Sequence, residues 1–437
     1  MSINKSNDSS NSNSDSNSDS NSDSDSEVLS VSSDEDKSQS DNLELSGKII
    51  KNYNIICELG RGSYSIVWLA YSIQTNNFYA LKVQNPSEFK DGQSEINFVQ
   101  KLPTTPAVFN NINDYFIEIR NHKKYLCSSW NLHCTDIDCL IRKGDFEEGF
   151  SIPIVKKIMK QLIDSVKILH QKFKVFHGDI KSDNILVKGV NDKDVFIIRR
   201  YLEENFFEKY SEAKKKFWVD IKKKNISKIN KMDKEDKLKI RSQIHGEITN
   251  KILEEYSLTD ISKYSVDSKY LESMNISLAD FGTYCEEHNY YEESFGTRYY
   301  QAPEIILMSK CSYPVDIWAL GCTFYELLSG KILFDPIKDF NHSRDYYHLQ
   351  LINETSGDFS PSFLKKTKFY KNFFDSNYKL KDYELDKADR LDRKLNELNI
   401  DESIKSEIKK ILINTLTIDP SKRWSIKELS ECEFFNS

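Results

Sequence analysis

The chain holds 437 residues, 38% of them apolar and 30% charged, with a formal net charge of −7. It has no run of about 18 apolar residues and no basic-then-apolar start, so neither a membrane-spanning helix nor a secretory leader is expected. Its eight cysteines are scattered with no CxxC pair, which points to a reduced intracellular compartment, cytoplasmic or nuclear, and not to a disulfide scaffold.

Residues 1–46 contain 18 serines, 11 acidic residues and two lysines. They carry too little apolar surface to offset the entropy of ordering, so this acidic Ser/Asn/Asp tail is expected to be disordered. It reads as a solvating segment or, through serines flanked by Asp and Glu, as a phosphorylation target; composition leaves both open. Without it the chain carries about +2, a near balance that argues against a dedicated nucleic-acid binder.

From about residue 48 the pattern changes. Residues 53–59 and 65–71 read as two strands around a glycine turn, and residues 78–83 as a third. Glu95 lies among Ile96, Val99 and Leu102, at helical spacing. His133, Cys134 and Cys139 are close in sequence, but their spacing fits no zinc site. Ile154, Ile158, Leu162, Ile163, Val166 and Leu169 recur as the stripe of a core helix. Residues 190–273 then interrupt a domain between two strand-like flanks, and residues 209–241 alone hold 13 basic and 5 acidic residues. This basic insertion reads as a solvated, partly helical loop or as a docking surface for acidic partners. Its charge is opposite to the tail's, so the two are expected to attract weakly across the cleft. More helices follow Ala302. A strand-rich part over about 53–131 and a helix-rich part over about 132–437 predict an α+β fold of two lobes, within a domain spanning 47–437.

The chemistry-bearing residues fall in order along this plan. Leu59, Gly60, Arg61, Gly62, Ser63, Tyr64, Ser65, Ile66 and Val67 form a glycine-containing turn between strands. Two close glycines let backbone N–H groups approach a polyphosphate with no Cβ in the way, though any hairpin turn also uses them. Ala80 precedes Lys82 in an apolar strand, where a lysine is costly to bury unless it meets an anion; nucleotide phosphates would be that anion, with Glu95 holding the ammonium. The strongest stretch runs from His177 through Gly178, Asp179, Lys181 and Asn184. Asp179 is placed to accept a hydroxyl proton, Lys181 to neutralise a transferring phosphoryl group and Asn184 to hold a magnesium ion. Asp280, before Phe281 and Gly282, supplies the second metal ligand.

This ordered set resembles the eukaryotic protein kinases over about residues 53–435, apart from the insertion. Thr297 to Glu304 is similar to the end of an activation segment. Asp316 matches the aspartate that braces the catalytic loop, and Arg423 the arginine that pairs with Glu304. Lys181 with Thr297 is the serine/threonine pattern. The sequence after Tyr64 up to Trp68, the spacer between lobes, and the segments around Leu333, Ser343 and Lys368 are most similar to the serine/arginine-protein kinases and their relatives. The resemblance implies a two-lobed protein kinase fold with a small β-rich N-lobe and a larger α-helical C-lobe. It also implies ATP and Mg2+ as cofactors and serine or threonine hydroxyls of protein substrates as acceptors, arginine–serine-rich proteins among them.

Several positions depart from the family pattern. Gly178 stands where many kinases carry an arginine that pairs with a phosphate on the activation segment, so activity without that phosphorylation is expected. Ser65 replaces a third glycine, and Gln301 an arginine that shapes the pocket after the phosphoacceptor. Asp345 is followed by Tyr346 and Tyr347, which dilutes an acidic run used to bind arginine. Trp130 reads either as the residue closing the pocket behind the base or as ordinary strand core. A kinase-fold scaffold with little turnover is the alternative function. The richness in Asn, Lys and Ile suits an AT-rich genome, a protist's or a large DNA virus's, in which case the compartment is the host cell's.

Overall fold

The alternating apolar residues of the first part build a six-stranded antiparallel sheet. Its strands are β1 (Ile49–Ile50), β2 (Tyr53–Arg61), β3 (Ser65–Ser72), β4 (Asn77–Gln84), β5 (Ile112–Arg120) and β6 (Lys123–Trp130), in the order β1-β2-β3-β4-β6-β5. One helix, α1 (Phe89–Val99), crosses between β4 and β5. The computed structural model describes Leu43, residues 45–204 except 63, 106, 107, 121 and 145, four isolated positions between 212 and 219, and residues 268–436 except 287–293, 338–340, 384–389 and 399. Residues 1–42 and the centre of the basic insertion lie outside the described residues, and with them the expected attraction between tail and insertion.

Successive side chains of a strand point to opposite faces. On β3, Ile66 and Trp68 therefore turn into the lobe core with Ile55, Leu81 and Val83, while Ser65 and Val67 face the cleft. The same core takes up Leu45, which is fully buried, with Leu43 packed against it. Leu43 and Leu45, at the end of the acidic segment, are thus tied to the lobe, because two leucines recover burial energy at about 25 cal/mol per Å2 of apolar area.

The helical lobe follows. It comprises β7 (His133–Asp136), α2 (Ile137–Lys143), α3 (Ile152–Ile168), β8 (Val175–Phe176), β9 (Ile185–Lys188), α4 (Asp192–Glu204), α5 (Ser268–Ser273), β10 (Ile276–Leu278) and β11 (Cys285–Glu286). Then come α6 (Pro303–Ile306), α7 (Pro314–Ser329), α8 (Arg344–Ser356), α9 (Pro361–Leu364), α10 (Tyr370–Phe373), α11 (Arg390–Asn396), α12 (Glu402–Thr415) and α13 (Ile426–Ser430). Two small sheets, β10-β9-β7 and β11-β8, hold the loops that face the other lobe. Helix α7 is apolar on every side, and all its residues from Val315 to Ser329 are buried, as expected of a helix at the centre of a bundle. It ends where Gly330 takes φ +68° and returns its N–H to the Glu326 carbonyl at 2.8 Å.

The insertion is the main departure from expectation. Its first residues form the amphipathic helix α4, as the partly helical reading allows, but the helix is not left to solvent: it docks on the β-lobe, on the face of the sheet that also carries Val67 and Ala80. Ile197 is buried among Ile56, Cys57 and Leu69. Tyr201 sits 5.0 Å from the Tyr71 ring and 5.7 Å from Phe78, and its hydroxyl accepts a 2.6 Å hydrogen bond from the Asn54 amide. At the other end Leu271 of α5 is fully buried in the C-lobe core. Apolar residues every three or four positions, hidden among charges, account for the docking.

One buried group sets a pH dependence. His348 of α8 is fully buried beside Phe334, and neither ring nitrogen has a hydrogen-bond partner. Burial, reinforced by the Arg298 guanidinium, lowers its pKa to about 3. Between the unfolded value near 6.5 and 3, the unfolded chain binds a proton that the folded chain refuses, so this group lowers stability as pH falls below about 6.5. Thermal melts at pH 7 and pH 5 should show a smaller decline for His348→Leu than for the parent; equal declines would remove His348 from the account.

Candidate active site

A cleft of about 500 Å3 lies between the lobes. Its roof is the β2–β3 hairpin, where Gly60 pairs with Val67 and the Gly62 N–H reaches the Ser65 carbonyl at 2.9 Å. A Cβ at Gly60 would meet nothing within 4 Å, so its absence leaves the roof clear for a ligand. Of the residues expected in this loop, Leu59, Gly60, Arg61, Gly62, Ser65 and Val67 line the cleft. Two do not: Ile66 faces the lobe core and Tyr64 points to solvent. The period of two turns Ile66 inward while its neighbours Ser65 and Val67 face the cleft. Ser63 lies outside the described residues.

Ala80, Lys82 and Glu95 also line the cleft. The Lys82 Nζ lies 2.8 Å from Glu95 Oε2 and 3.7 Å from Asp280 Oδ1. Burial alone would lower the pKa of this ammonium; Glu95, then Asp280, outweigh it and raise it. Lys82 therefore stays charged. Asp280 responds in kind: burial would raise its pKa, but Lys82, His177 and Lys181 bring it below the usual carboxylate value. The next residue, Phe281, is buried against Phe98, Phe109 and His177 at ring distances of 5.6, 5.9 and 4.9 Å. With Phe281 anchored, Asp280 takes φ +60° and lines the cleft, a conformation that costs energy in a non-glycine residue and concentrates at working sites.

The loop below is held from beneath. The buried Asp316 carboxylate of α7 accepts the backbone N–H groups of His177 at 2.8 Å and Gly178 at 2.9 Å, and bonds His170 Nε2 at 2.8 Å. This braces the turn in which Gly178 takes φ +81°. A Cβ at Gly178 would lie 2.9 Å from the Thr283 carbonyl oxygen and 3.4 Å from the Phe295 ring. Backbone and crowding together account for glycine in place of arginine here.

Asp179 follows. Its Oδ1 accepts the Thr297 N–H at 2.7 Å, and its Oδ2 lies 3.4 Å from Lys181 Nζ. Lys181 also donates to Thr297 Oγ1 at 2.9 Å. Asn184 donates its amide to the Asp179 carbonyl at 2.8 Å. That leaves the Asn184 Oδ1, with the Asp280 carboxylate, as hard oxygen donors on the cleft wall. Among the described residues no group of three or more His, Cys, Asp or Glu side chains is arranged to hold a metal ion. This donor set fits Mg2+, which binds through one or two protein oxygens together with substrate phosphates.

The segment from Ser294 to Gln301 closes over Asp179. The Gln301 amide donates to the Phe295 carbonyl at 2.9 Å, the Gly296 carbonyl at 3.4 Å and Ser294 Oγ at 3.0 Å. Farther down, Arg423 and Glu304 form a buried pair at 2.7 and 3.0 Å. Arg298 pairs with Asp345, so the one acid left from the expected arginine-binding run already has a cation. Trp130 ends β6 in the core and also lines the cleft. The cleft also takes in residues that the motifs did not signal, notably Asn110, Asp136 and Asn191.

Comparison with known proteins agrees with this geometry. A family model described as protein kinase domain matches residues 53–199 and 268–435, which narrows the unmatched insertion to 200–267. The protein L205 of Acanthamoeba polyphaga mimivirus, named as a serine/threonine-protein kinase, is 26% identical over 89% of this chain and 88% of its own length. The serine/threonine-protein kinase SRPK of Physarum polycephalum is 28% identical over 77% and 74%. SRSF protein kinase 3 of Mus musculus is 22% identical over 75% and 76%.

Proposed function

Because the chain belongs to the protein kinase family and is a serine/threonine protein kinase, we propose that it moves the γ-phosphoryl group of ATP to a serine or threonine hydroxyl with Asp179 as the base. The observation that carries this reading is the setting of the Asp179 carboxylate. The Thr297 N–H at 2.7 Å fixes one oxygen, and Lys181 at 3.4 Å stands beside the other. A hydroxyl delivered there loses its proton to Asp179 as its oxygen bonds to phosphorus and the bond to the departing ADP oxygen breaks. Lys181 balances charge on the transferring group, and Lys82, held by Glu95, balances charge on the phosphates that stay with ADP. Asn184 and Asp280 would hold Mg2+, which when bound supplies further neutralisation of phosphate charge. The protein's contribution is chiefly positioning and fixed charge.

The reading extends to regulation and substrate. With glycine at 178 there is no arginine to take an activation-segment phosphate, and the Gln301 amide ties the segment by its own carbonyls. Phosphorylation of the segment is therefore dispensable. The likeness to the serine/arginine-protein kinases extends the substrate class to arginine–serine-rich proteins. No helix among the described residues is long and apolar enough to cross a membrane.

The test is transfer from labelled ATP with Mg2+ to a basic protein, an arginine–serine peptide and an acidic serine peptide, before and after phosphatase treatment. Transfer is expected to survive the phosphatase and to favour the arginine–serine peptide. Loss after treatment overturns the phosphorylation-independent reading. No transfer from a protein that still binds nucleotide points to the scaffold.

A further inference from the structure

Buried amides normally find hydrogen-bond partners, and one left without a partner destabilises the fold. Asn110 is such a residue: it is 8% exposed, its Oδ1 has no partner in the fold, and it lines the interlobe cleft. Its backbone is fixed. The Asn110 N–H donates to the Leu278 carbonyl at 3.0 Å, and Phe109 bridges to Leu278 and packs on Phe281. The register places it further. Ile112, two residues on, pairs with Trp130, whose chain continues into Asn131 and His133. Asn110 thus stands between the Trp130 end of the cleft and the strand that leads into Asp280.

The connection after Trp130 already uses one lone pair of its own carbonyls. His133 has a pKa lowered to about 4 by burial, so its ring is neutral near pH 7. A carbonyl can only accept, so the 3.1 Å contact of His133 Nδ1 with the Asn131 carbonyl makes that nitrogen the donor. A purine entering this cleft meets a carbonyl with one of its two lone pairs taken and a carboxamide oxygen with both free.

We propose that Asn110 reads the polar edge of the nucleotide base and sets a preference for adenine over guanine. A carboxamide carries an acceptor and a donor side by side, which matches the 6-amino group and N7 of adenine; guanine offers two acceptors along the same edge and cannot pair with both. The inference rests on the nucleotide-dependent reading above, and its test separates the two. Binding of ATP and of GTP, each without acceptor protein, is measured by calorimetry for the full chain and for Asn110→Val and Asn110→Leu, with a thermal melt of each free protein.

The free variants are expected to melt at or above the parent temperature, since an unpaired buried amide has been removed. Their ATP affinity should fall about tenfold or more while GTP affinity holds, so that discrimination collapses. A variant that melts lower and binds ATP as the parent does makes Asn110 a structural residue and overturns the proposal. Equal loss for both nucleotides overturns it as well. A parent that binds neither nucleotide defeats the nucleotide-dependent reading itself.

Discussion

Replacing Asp179 by asparagine is expected to lower the rate of phosphoryl transfer by about 10²–10⁴-fold, the contribution of a positioned general base. The substitution is nearly isosteric. An asparagine oxygen can still accept the Thr297 N–H that Asp179 Oδ1 takes at 2.7 Å, so the loop need not move. What disappears is the basic oxygen beside Lys181 and the charge that faces it. Asp179 does not line the nucleotide cleft but a small cavity beneath it, with Gly178, Phe295 and Thr297. Nucleotide affinity should therefore change little while kcat collapses. Single-turnover transfer and ADP binding, measured on the same preparation, check both halves. A rate within threefold of the parent would take the base role away from Asp179.

The largest stability effect is expected at Arg423. Its guanidinium bonds both oxygens of the buried Glu304 and also the carbonyls of Thr417, Pro314 and Ile418, and it lies 5.0 Å over the Trp318 ring. Removing one partner of a buried pair leaves the other charge without compensation, a loss of about 3–5 kcal/mol. Arg423→Met should lower Tm by on the order of 10 °C. Joining Glu304→Leu to it should recover part of that fall, because the stranded carboxylate goes too. A double variant less stable than the single one would show that the pair is not the source of the loss. Since α6 carries Glu304 directly after the segment that covers Asp179, activity should fall with Arg423→Met even below its melting temperature.

These two sites were legible to different degrees. Local signals identified the β2–β3 hairpin, Lys82, Glu95 and the loop from His177 to Asn184, because strand alternation, helical spacing and a dense motif are all written within a dozen residues. The pairing of Arg423 with Glu304 spans 119 residues and that of Asp316 with His177 spans 139. Only the family resemblance anticipated them. The motif marks a continuous stretch, whereas the pleat turns Ile66 into the lobe core. The docking of helix α4 is not legible because charge dominates its composition, while four large side chains, Phe196, Ile197, Ile198 and Tyr201, decide where it goes. Asn110 gave no signal at all. A buried amide without a partner is a property of its surroundings, and nothing near it in sequence marks it.

The docking of α4 also bears on how the lobes move. Among the described residues, the chain runs straight from the β-lobe to the C-lobe through Asn131 and Leu132, between β6 and β7. It returns at Gly189 to Asn191, between β9 and a helix seated on the β-lobe. Those three residues span at most about 11 Å when fully extended, and Asn191 is pinned to the Cys134 carbonyl at 2.8 Å. A body attached at one point can swivel about every axis. One attached at two keeps a single easy rotation, about the line joining them. The cleft of this protein should open as a door opens, and a twist of one lobe over the other requires α4 to leave its seat.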